Sequence, residues 1–277
     1  MAISASDVKA LRDQTGAGMM DCKRALSDAD GDVEKAIELL RERGLSKAGK
    51  RAGRETSEGA VAIAVAGARA GIVELGCETD FVAKTDGFQE LAAAIAGVVA
   101  ADPKLDGAEA VLAAKLGGGT VGDRIQETIA KVGENIELKR ASGIDVGKGV
   151  TGGYVHMGGK LGVLVGLTTS ASGDAVDALA KDVAMHVAAA DPSPIAIDRD
   201  GVAADVVEKE RRILTNQAKE SGKPENVIEK MVNGRINKFF AEHCLLEQVY
   251  VKDPDLTVGK LVAKVAGDLG SEMAVAH

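Results

Sequence analysis

Apolar residues recur at helical spacing between Ser6 and Gly44. Ser6 or Asp7 can cap a first helix, and a second helix begins near Met19. Asp32 can cap a third helix, in which apolar residues fall at i, i+3, i+4 and i+7 before Gly44. The pattern therefore predicts a bundle of three short helices.

From residue 59 onward the pattern changes, and two consecutive stretches each follow the order hairpin, helix, strand. The elements of the first are strands over 61–65 and 71–75, helices over 88–101 and 121–131, and a strand over 136–140. Those of the second are strands over 150–157 and 161–168, a helix over 176–190 and a late strand over 245–251. We therefore predict two related α+β subdomains, each with a small antiparallel sheet covered by helices.

An insertion interrupts the second stretch. Residues 206–220 and 225–240 are charged and strongly helical, and Gly222 and Pro224 between them can end one helix and open the next. This pattern predicts an antiparallel helical hairpin that projects from the body. Its apolar positions are too few to be buried by the hairpin alone, which favours a homodimer or a 2:2 complex with a partner through the hairpin. These positions are Val207, Ile213 or Leu214, Val227, Ile228, Met231 and Ile236.

The predicted fold class is α+β. It combines a small three-helix domain like a ubiquitin-associated domain, a core of two related α+β subdomains with antiparallel sheets, and the protruding helical hairpin. The predicted boundaries are 1–46 for the three-helix domain, 47–57 for a basic linker with Lys47, Lys50, Arg51 and Arg54, 58–142 for the first core subdomain, 143–203 with 244–264 for the second, 204–243 for the hairpin, and 265–277 for a shortened C-terminal tail.

Charge and composition narrow the function classes. A net charge of −8 with a pI near 5.2 opposes contact with phosphate backbones, so direct nucleic-acid binding is not expected. No stretch has the roughly 18 uninterrupted apolar residues of a membrane span. The N-terminus lacks the pattern of a secretory signal, so a cytoplasmic protein is expected. Cys22, Cys77 and Cys244 are odd in number and widely spaced, which favours buried free thiols.

Motifs for enzymatic chemistry are incomplete. Residues 147–152 match G-x-G-x-x-G but lead into a strand, whereas a dinucleotide site opens a helix. Residues 44–51 resemble a phosphate-binding loop, but Arg51 stands where a magnesium-binding Ser or Thr belongs. We therefore predict no cofactor, no metal and no enzymatic activity. The four histidines, which lack the spacing of a metal site, are His156, His186, His243 and His277.

Two groups of residues favour contact with a protein partner. At the start of the second helix, Met19 and Met20 are adjacent, so at least one is expected to face outward. The alternative is that both fill the small bundle. In the second group, Phe81 follows a strand, and Thr79 and Asp80 can fix its loop through side-chain hydrogen bonds to backbone amides. Phe81 is then either an exposed wedge or is packed under its own helix.

The chain resembles the elongation factor Ts family over residues 6–262. The matching runs, which occur in the family's order, are residues 11–23, 31–32, 40–41, 79–84, 131–136, 154–156 with 162–165, 184–189, 221–224, 229–232 and 234–235. Members usually continue past Ala266 into an aromatic strand, and this chain does not.

The resemblance implies a guanine nucleotide exchange factor for elongation factor Tu that acts during translation elongation. It implies that Asp80 and Phe81 contact the G domain of that GTPase near its magnesium and phosphate region. The alternatives are a non-catalytic partner-binding or chaperone-like module and an RNA-binding translation protein. The complete predicted partner surface is Arg12, Met19, Met20, Lys23, Thr79, Asp80, Phe81, Val82, Val132, Gly133 and His156.

Overall fold

The computed structural model of the 277-residue chain describes residues 3–15, 17–49, 54–105, 107–220 and 222–277. Helices combine with antiparallel sheets there, which confirms the predicted α+β class. The chain divides into two compact units by its contacts. The first unit comprises Met1–Ala64, Gly71–Gly143 and Met157–Lys160, and the second comprises Val65–Ala70, Ile144–His156 and Leu161–His277.

The first unit opens with the predicted three-helix bundle: α1 (Ala5–Thr15), α2 (Met19–Asp28) and α3 (Val33–Gly49). Ser4, and not Ser6 or Asp7, caps α1. Its Oγ accepts a hydrogen bond from the Asp7 amide at 3.2 Å, and the Asp7 carboxylate accepts one from the Ser4 amide at 3.1 Å. Asp32 caps α3 as predicted, because its Oδ1 accepts a hydrogen bond from the Lys35 amide at 3.1 Å.

The third helix is longer than predicted. It continues to Gly49, so the prediction that it ends before Gly44 is wrong. A glycine inside a helix costs only about 1 kcal/mol relative to alanine, and the helix-favouring residues on both sides of Gly44 offset that cost. Gly16 and residues 50–53, which include Lys50 and Arg51 of the predicted linker, lie outside the described residues.

A three-stranded sheet and helices complete the first unit. The sheet has the order β1-β2-β5, and its helical cover buries Phe88, Ile95 and Val99, which confirms the predicted hairpin, helices and returning strand. The elements are β1 (Glu58–Ala66), β2 (Arg69–Cys77), α4 (Asp80–Ala83), α5 (Asp86–Ala101), α6 (Ala108–Ala113), β3 (Lys115–Leu116), β4 (Gly119–Thr120), α7 (Val121–Val132) and β5 (Ile136–Asp145).

The second unit repeats the hairpin-and-helix order. Its strands β6 and β7 pair in antiparallel register from Gly149 opposite Thr168 to His156 opposite Leu161, and α8 packs on them. The elements are β6 (Gly149–His156), β7 (Leu161–Thr169), α8 (Asp174–Ala189), α9 (Ala204–Lys219), α10 (Glu225–His243), a 3-10 helix (Leu245–Glu247), β8 (Val249–Tyr250), β9 (Asp253–Thr257), α11 (Val258–Asp268) and β10 (Met273–Val275).

One prediction for this unit is wrong. The predicted late strand over 245–251 is a 3-10 helix followed by a two-residue strand that pairs with β9. The third strand of the main sheet is instead β10, which pairs with β7 and places Val275 opposite Leu167. Residues 265–277 supply the end of α11 and the edge strand β10. The predicted domain boundaries remain predictions.

The helices α9 and α10 form the predicted helical hairpin and bury Leu214, Val232 and Ile236 between them. Arg199 fixes the base of the hairpin. Its guanidinium donates to both carboxylate oxygens of Glu247, at 2.5 and 2.8 Å, and lies 4.8 Å from the centre of the Phe240 ring. The hydrogen bond from Arg199 lowers the pKa of Glu247.

A buried polar network explains why residues 245–251 do not form one long strand. The Gln248 amide nitrogen donates to the carbonyl oxygens of Pro192 and Glu242, at 2.9 and 2.8 Å. The backbone amide of Val251 donates to Nδ1 of buried His186 at 3.3 Å, so Nε2 carries the proton and donates to Gln248 Oε1 at 3.0 Å. These bonds hold the chain in a turn that a continuous strand would break.

Acid is expected to destabilise the second unit through His186. Burial lowers the pKa of His186 below its ordinary value of 6.5, so the unfolded chain takes up a proton more readily than the folded one. The stabilising contribution is therefore complete above about pH 6.5 and is lost as the pH falls below it. Urea midpoints measured from pH 8 to pH 5 should fall more steeply for the wild type than for His186→Gln. Equal slopes for the wild type and His186→Gln would contradict the role of His186 in acid destabilisation.

All three cysteines are buried and free, as predicted. Within the described ranges, no helix combines the length and the apolar character that crossing a membrane requires.

Candidate functional site

Phe81 lies in a short segment between β2 and α5, residues 78–84, which we call the Phe81 loop. Thr79 caps the one-turn helix α4, because its Oγ1 accepts a hydrogen bond from the Val82 amide at 3.4 Å. This confirms the predicted capping role of Thr79. The Asp80 carboxylate instead accepts a hydrogen bond from Nζ of Lys84 at 2.6 Å, and that bond lowers the pKa of Asp80. Asp80 is therefore a charged group beside Phe81.

Two glutamates tie the Phe81 loop to the segment that follows α7. The Glu134 carboxylate accepts from the amide of Thr79 at 3.0 Å and from its hydroxyl at 2.7 Å. In the reverse direction, the Glu78 carboxylate accepts a hydrogen bond from the backbone amide of Asn135 at 2.6 Å. Hydrogen bonds to charged groups are the stronger kind, so the crossed pair fixes the backbone on both sides. We call this arrangement the glutamate clamp.

Glu134 is not among the site residues predicted from the sequence. Glu134 could have been found from its position directly after the glycine that ends α7, within a run of residues that resembles the family. Gly133 has φ +85 and its amide donates to the Ile129 carbonyl at 2.9 Å, so it turns the chain towards the clamp. The preceding Val132 is half-buried and packs against the core. Val132 and Gly133 therefore lead directly into the segment that binds the Phe81 loop.

The Phe81 loop rests on the core of the first unit. Val82 and Ala83 are buried and pack in the same cluster as Phe88. Burial raises the pKa of the Cys77 thiol to about 11, so the thiol keeps its proton and donates to the Thr79 carbonyl at 3.2 Å. Val82 is only 9% exposed and supports the loop from below, and its predicted contact with a partner remains a prediction.

Phe81 itself is 81% exposed. The alternative in which it packs under its own helix is therefore wrong. An aromatic ring held in water by a fixed backbone gains nothing for the fold, and aromatic side chains are preferred anchors of protein interfaces. The arrangement offers an ordered apolar wedge beside the Asp80–Lys84 ion pair.

A second candidate patch lies on the three-helix bundle. Met19 is 52% exposed and Met20 is 67% exposed, so the alternative in which both fill the bundle is wrong. Arg12 on α1 and Lys23 on α2 are also exposed. The patch thus combines flexible thioethers with positive charge, which suits a partner surface that is apolar and acidic.

His156 belongs to the second unit, at the end of β6. Its ring is exposed, and its Nδ1 lies 2.8 Å from the Tyr154 hydroxyl oxygen. The run over 147–152 leads into this strand, as predicted, and not into the helix of a dinucleotide site.

Comparisons with known proteins agree on one family. The family model described as "Elongation factor TS" matches residues 78–275. A curated protein named elongation factor Ts from Syntrophotalea carbinolica is 48% identical over 280 aligned positions, covering 100% of this chain and 91% of the relative. Another of the same name, from Brucella anthropi, is 45% identical and covers 98% of this chain and 89% of the relative. The chain therefore belongs to the elongation factor Ts family of translation elongation factors.

Proposed function

We propose that this chain is a guanine nucleotide exchange factor: in the cytoplasm it binds elongation factor Tu and promotes release of GDP. The observation that carries the proposal is the exposed Phe81 ring on a backbone that the glutamate clamp holds in place. An exchange factor must bind the nucleotide-free GTPase more tightly than the loaded one, and linkage makes the weakening of nucleotide binding reciprocal. A rigid wedge can supply that difference because only one state of the GTPase accommodates it.

The proposed target of the wedge is the magnesium and phosphate region of the G domain. Mg²⁺ demands near-ideal octahedral geometry, so a small displacement of a neighbouring helix by Phe81 weakens metal and phosphate binding together. The charged Asp80 would lie at the same contact. Arg12, Met19, Met20 and Lys23 would bind a second face of the G domain, and His156 of the second unit would make a contact of its own with the same partner. No bond is made or broken in this mechanism.

Nucleotide release measures the proposed activity directly. Elongation factor Tu loaded with a fluorescent GDP analogue would be mixed with increasing concentrations of this chain and an excess of unlabelled GDP in a stopped-flow instrument. The release rate should rise with concentration and saturate. A rate that stays at its intrinsic value, at concentrations where a complex with nucleotide-free elongation factor Tu forms, favours the alternative of a partner-binding or chaperone-like module.

The RNA-binding alternative makes a different prediction. It requires an affinity for RNA that falls steeply with salt, because phosphate contacts release counterions. The net charge of −8 favours the protein partner. Salt titrations against a single-stranded RNA would separate the two functions.

A homodimer or a 2:2 complex through the helical hairpin is part of the proposal. Val206, Ile213 and Val227 on the hairpin are each more than a third exposed, whereas Leu214, Val232 and Ile236 are buried between α9 and α10. These side chains offer apolar surface to a second copy. Light scattering of the free chain and of its complex with elongation factor Tu would give both stoichiometries.

Loss of the glutamate clamp is expected to slow exchange while Phe81 is still present. In Glu134→Ala the Thr79 amide and hydroxyl lose their acceptor, so the Phe81 loop becomes mobile and part of the binding free energy is used to order it. We expect stimulated GDP release to fall roughly 5- to 10-fold, equivalent to about 1–1.4 kcal/mol. Glu74→Ala, which removes an ion pair with exposed Arg140, is the matched control and should keep the wild-type rate. Equal rates for the two variants would show that the clamp does not orient the wedge.

A further inference from the structure

The turn between β6 and β7, residues 157–160, contains an unusual residue. Met157 adopts φ +49, a left-handed conformation in which only a few per cent of non-glycine residues are found, and its side chain is 75% exposed. The two residues that follow, Gly158 and Gly159, also have positive φ. Glycine at position 157 would take this conformation without strain and would expose no apolar side chain to water. The fold alone therefore does not account for Met157.

This segment, which we call the Met157 turn, is held firmly against the start of β1. The Val61 amide donates to the Gly159 carbonyl at 2.7 Å. Gly159 lies so close to Ala60 that an added Cβ would come within 2.9 Å of the Ala60 Cβ. Lys160 forms an ion pair with Glu58. Since backbone, packing and charge all fix the turn, the position of Met157 is defined by the first unit.

The start of β1 connects the Met157 turn with the Phe81 loop. Gly59 lies against the end of β2, where an added Cβ would be 2.2 Å from the Leu75 carbonyl oxygen and 2.8 Å from the Gly76 Cα. Three residues after Gly76 the chain reaches Thr79, the first residue held by the glutamate clamp. The Met157 turn and the Phe81 loop therefore lie at the same end of the sheet.

Two ion pairs belong to the segments that carry the exposed apolar side chains. Lys160 of the Met157 turn pairs with Glu58, and Lys84 of the Phe81 loop pairs with Asp80. The pairs also act on each other, since the charge of Lys160 contributes to lowering the pKa of Asp80. Apolar anchors within a balanced polar rim are the usual anatomy of a protein interface.

We propose that Met157 is a second apolar anchor, which contacts elongation factor Tu beside Phe81. The inference rests on the proposed function and extends its surface to a residue outside the predicted set. The occupant is the GTPase because the Met157 turn is continuous with the Phe81 loop through β1. An unbranched thioether suits the task, since it adapts to an irregular apolar pocket on a surface that changes shape between nucleotide states.

The anchor is expected to contribute to affinity and not to the maximal rate. In Met157→Gly, the concentration of this chain that gives half-maximal GDP release should rise about tenfold, while the release rate at saturation stays the same. Its thermal midpoint should be unchanged or a few degrees higher, because the substitution relieves left-handed strain. Met157→Leu, which keeps an apolar side chain, should retain affinity within about threefold of the wild type, a difference of at most about 0.7 kcal/mol.

Asp30→Gly is the matched control, because Asp30 also has a positive φ, at +53, and is exposed on the three-helix bundle. It should relieve strain in the same way and leave the half-maximal concentration unchanged. If Met157→Gly gives half-maximal GDP release at the same concentration as the wild type, the inference is overturned and the proposed function stays intact. If the wild type itself does not accelerate GDP release, the proposed function is wrong, and the inference that rests on it is wrong as well. A reduced saturating rate for Met157→Gly would contradict the assignment as an affinity anchor.

Discussion

Replacement of Phe81 by alanine is expected to slow stimulated GDP release from elongation factor Tu by roughly 30-fold or more. Truncation of a central aromatic anchor typically removes about 2–4 kcal/mol of interaction, and each 1.4 kcal/mol corresponds to a factor of ten. The fold should be unaffected, because the ring is 81% exposed and the glutamate clamp holds the backbone without it. Stopped-flow release at saturating Phe81→Ala, together with a thermal melt, measures both effects.

The matched control for this experiment is Ile195→Ala. Ile195 is an exposed apolar residue of the second unit and belongs to no predicted contact. Its substitution should leave the rate within about twofold of the wild type, since scattered surface residues contribute little. Phe81→Leu should fall between the wild type and Phe81→Ala, because leucine keeps apolar volume and loses the planar ring. If Phe81→Ala releases GDP as fast as the wild type at saturation, Phe81 is not the wedge.

Gly149→Ala is expected to destabilise the second unit by about 3 kcal/mol or more. Gly149 has φ +154, and a Cβ at this position would lie 1.9 Å from the Leu167 carbonyl oxygen on the neighbouring strand. The backbone conformation excludes an L-residue and the contact is with backbone atoms, so relief requires β6 and β7 to separate. Such large losses arise only from a short list of causes, of which strain at a special φ is one. Urea denaturation would report the loss as a lower midpoint with an unchanged slope.

Gly147→Ala separates the cost of the backbone conformation from the cost of the clash with the neighbouring strand. Gly147 also has a positive φ, at +64, but nothing lies within 4 Å of an added Cβ. Only the conformational cost of about 1–2 kcal/mol applies there. If the two alanine variants are equally stable, contact with Leu167 is not what requires glycine at position 149.

Gly59, the second residue of β1, resembles Gly149, the first residue of β6. It has φ +146 and lies against the Leu75 carbonyl of the paired strand. Both glycines thus mark the point where the first strand of a hairpin crosses closely over the second. This shared detail supports the prediction of two related subdomains, which was made from the order of elements alone.

Elements with strong local patterns could be predicted from the sequence. The hairpins around Gly67 and Gly158 have alternating apolar residues on both sides of a glycine turn, and α7 has a regular apolar stripe. Strand β10 has neither feature, because it is the three-residue run Met273–Val275 and forms only by pairing with β7 about a hundred residues earlier. A short strand of this kind depends on tertiary contacts that local sequence does not encode.

The position of the candidate site in the chain could be predicted from the sequence, but the exposure of its side chains and the residues that hold it could not. Phe81 could be identified from its place directly after a predicted strand, and Thr79 as the cap of its loop. Exposure of Phe81, Met19 and Met20 could not be decided, because each residue type is more often buried and the outcome depends on which core the helix joins. Glu134 was missed because its partner, Thr79, is 55 residues away in the chain. Met157 was missed because its φ is a property of the folded turn.

The glutamate clamp makes position 81 suitable for a reporter group. Because the backbone there is held by Glu134 and Glu78 from outside the helix, the side chain can be exchanged without affecting the structure that carries it. A photo-crosslinking or fluorinated aromatic amino acid at this position would therefore record the surroundings of the wedge in each nucleotide state of the GTPase.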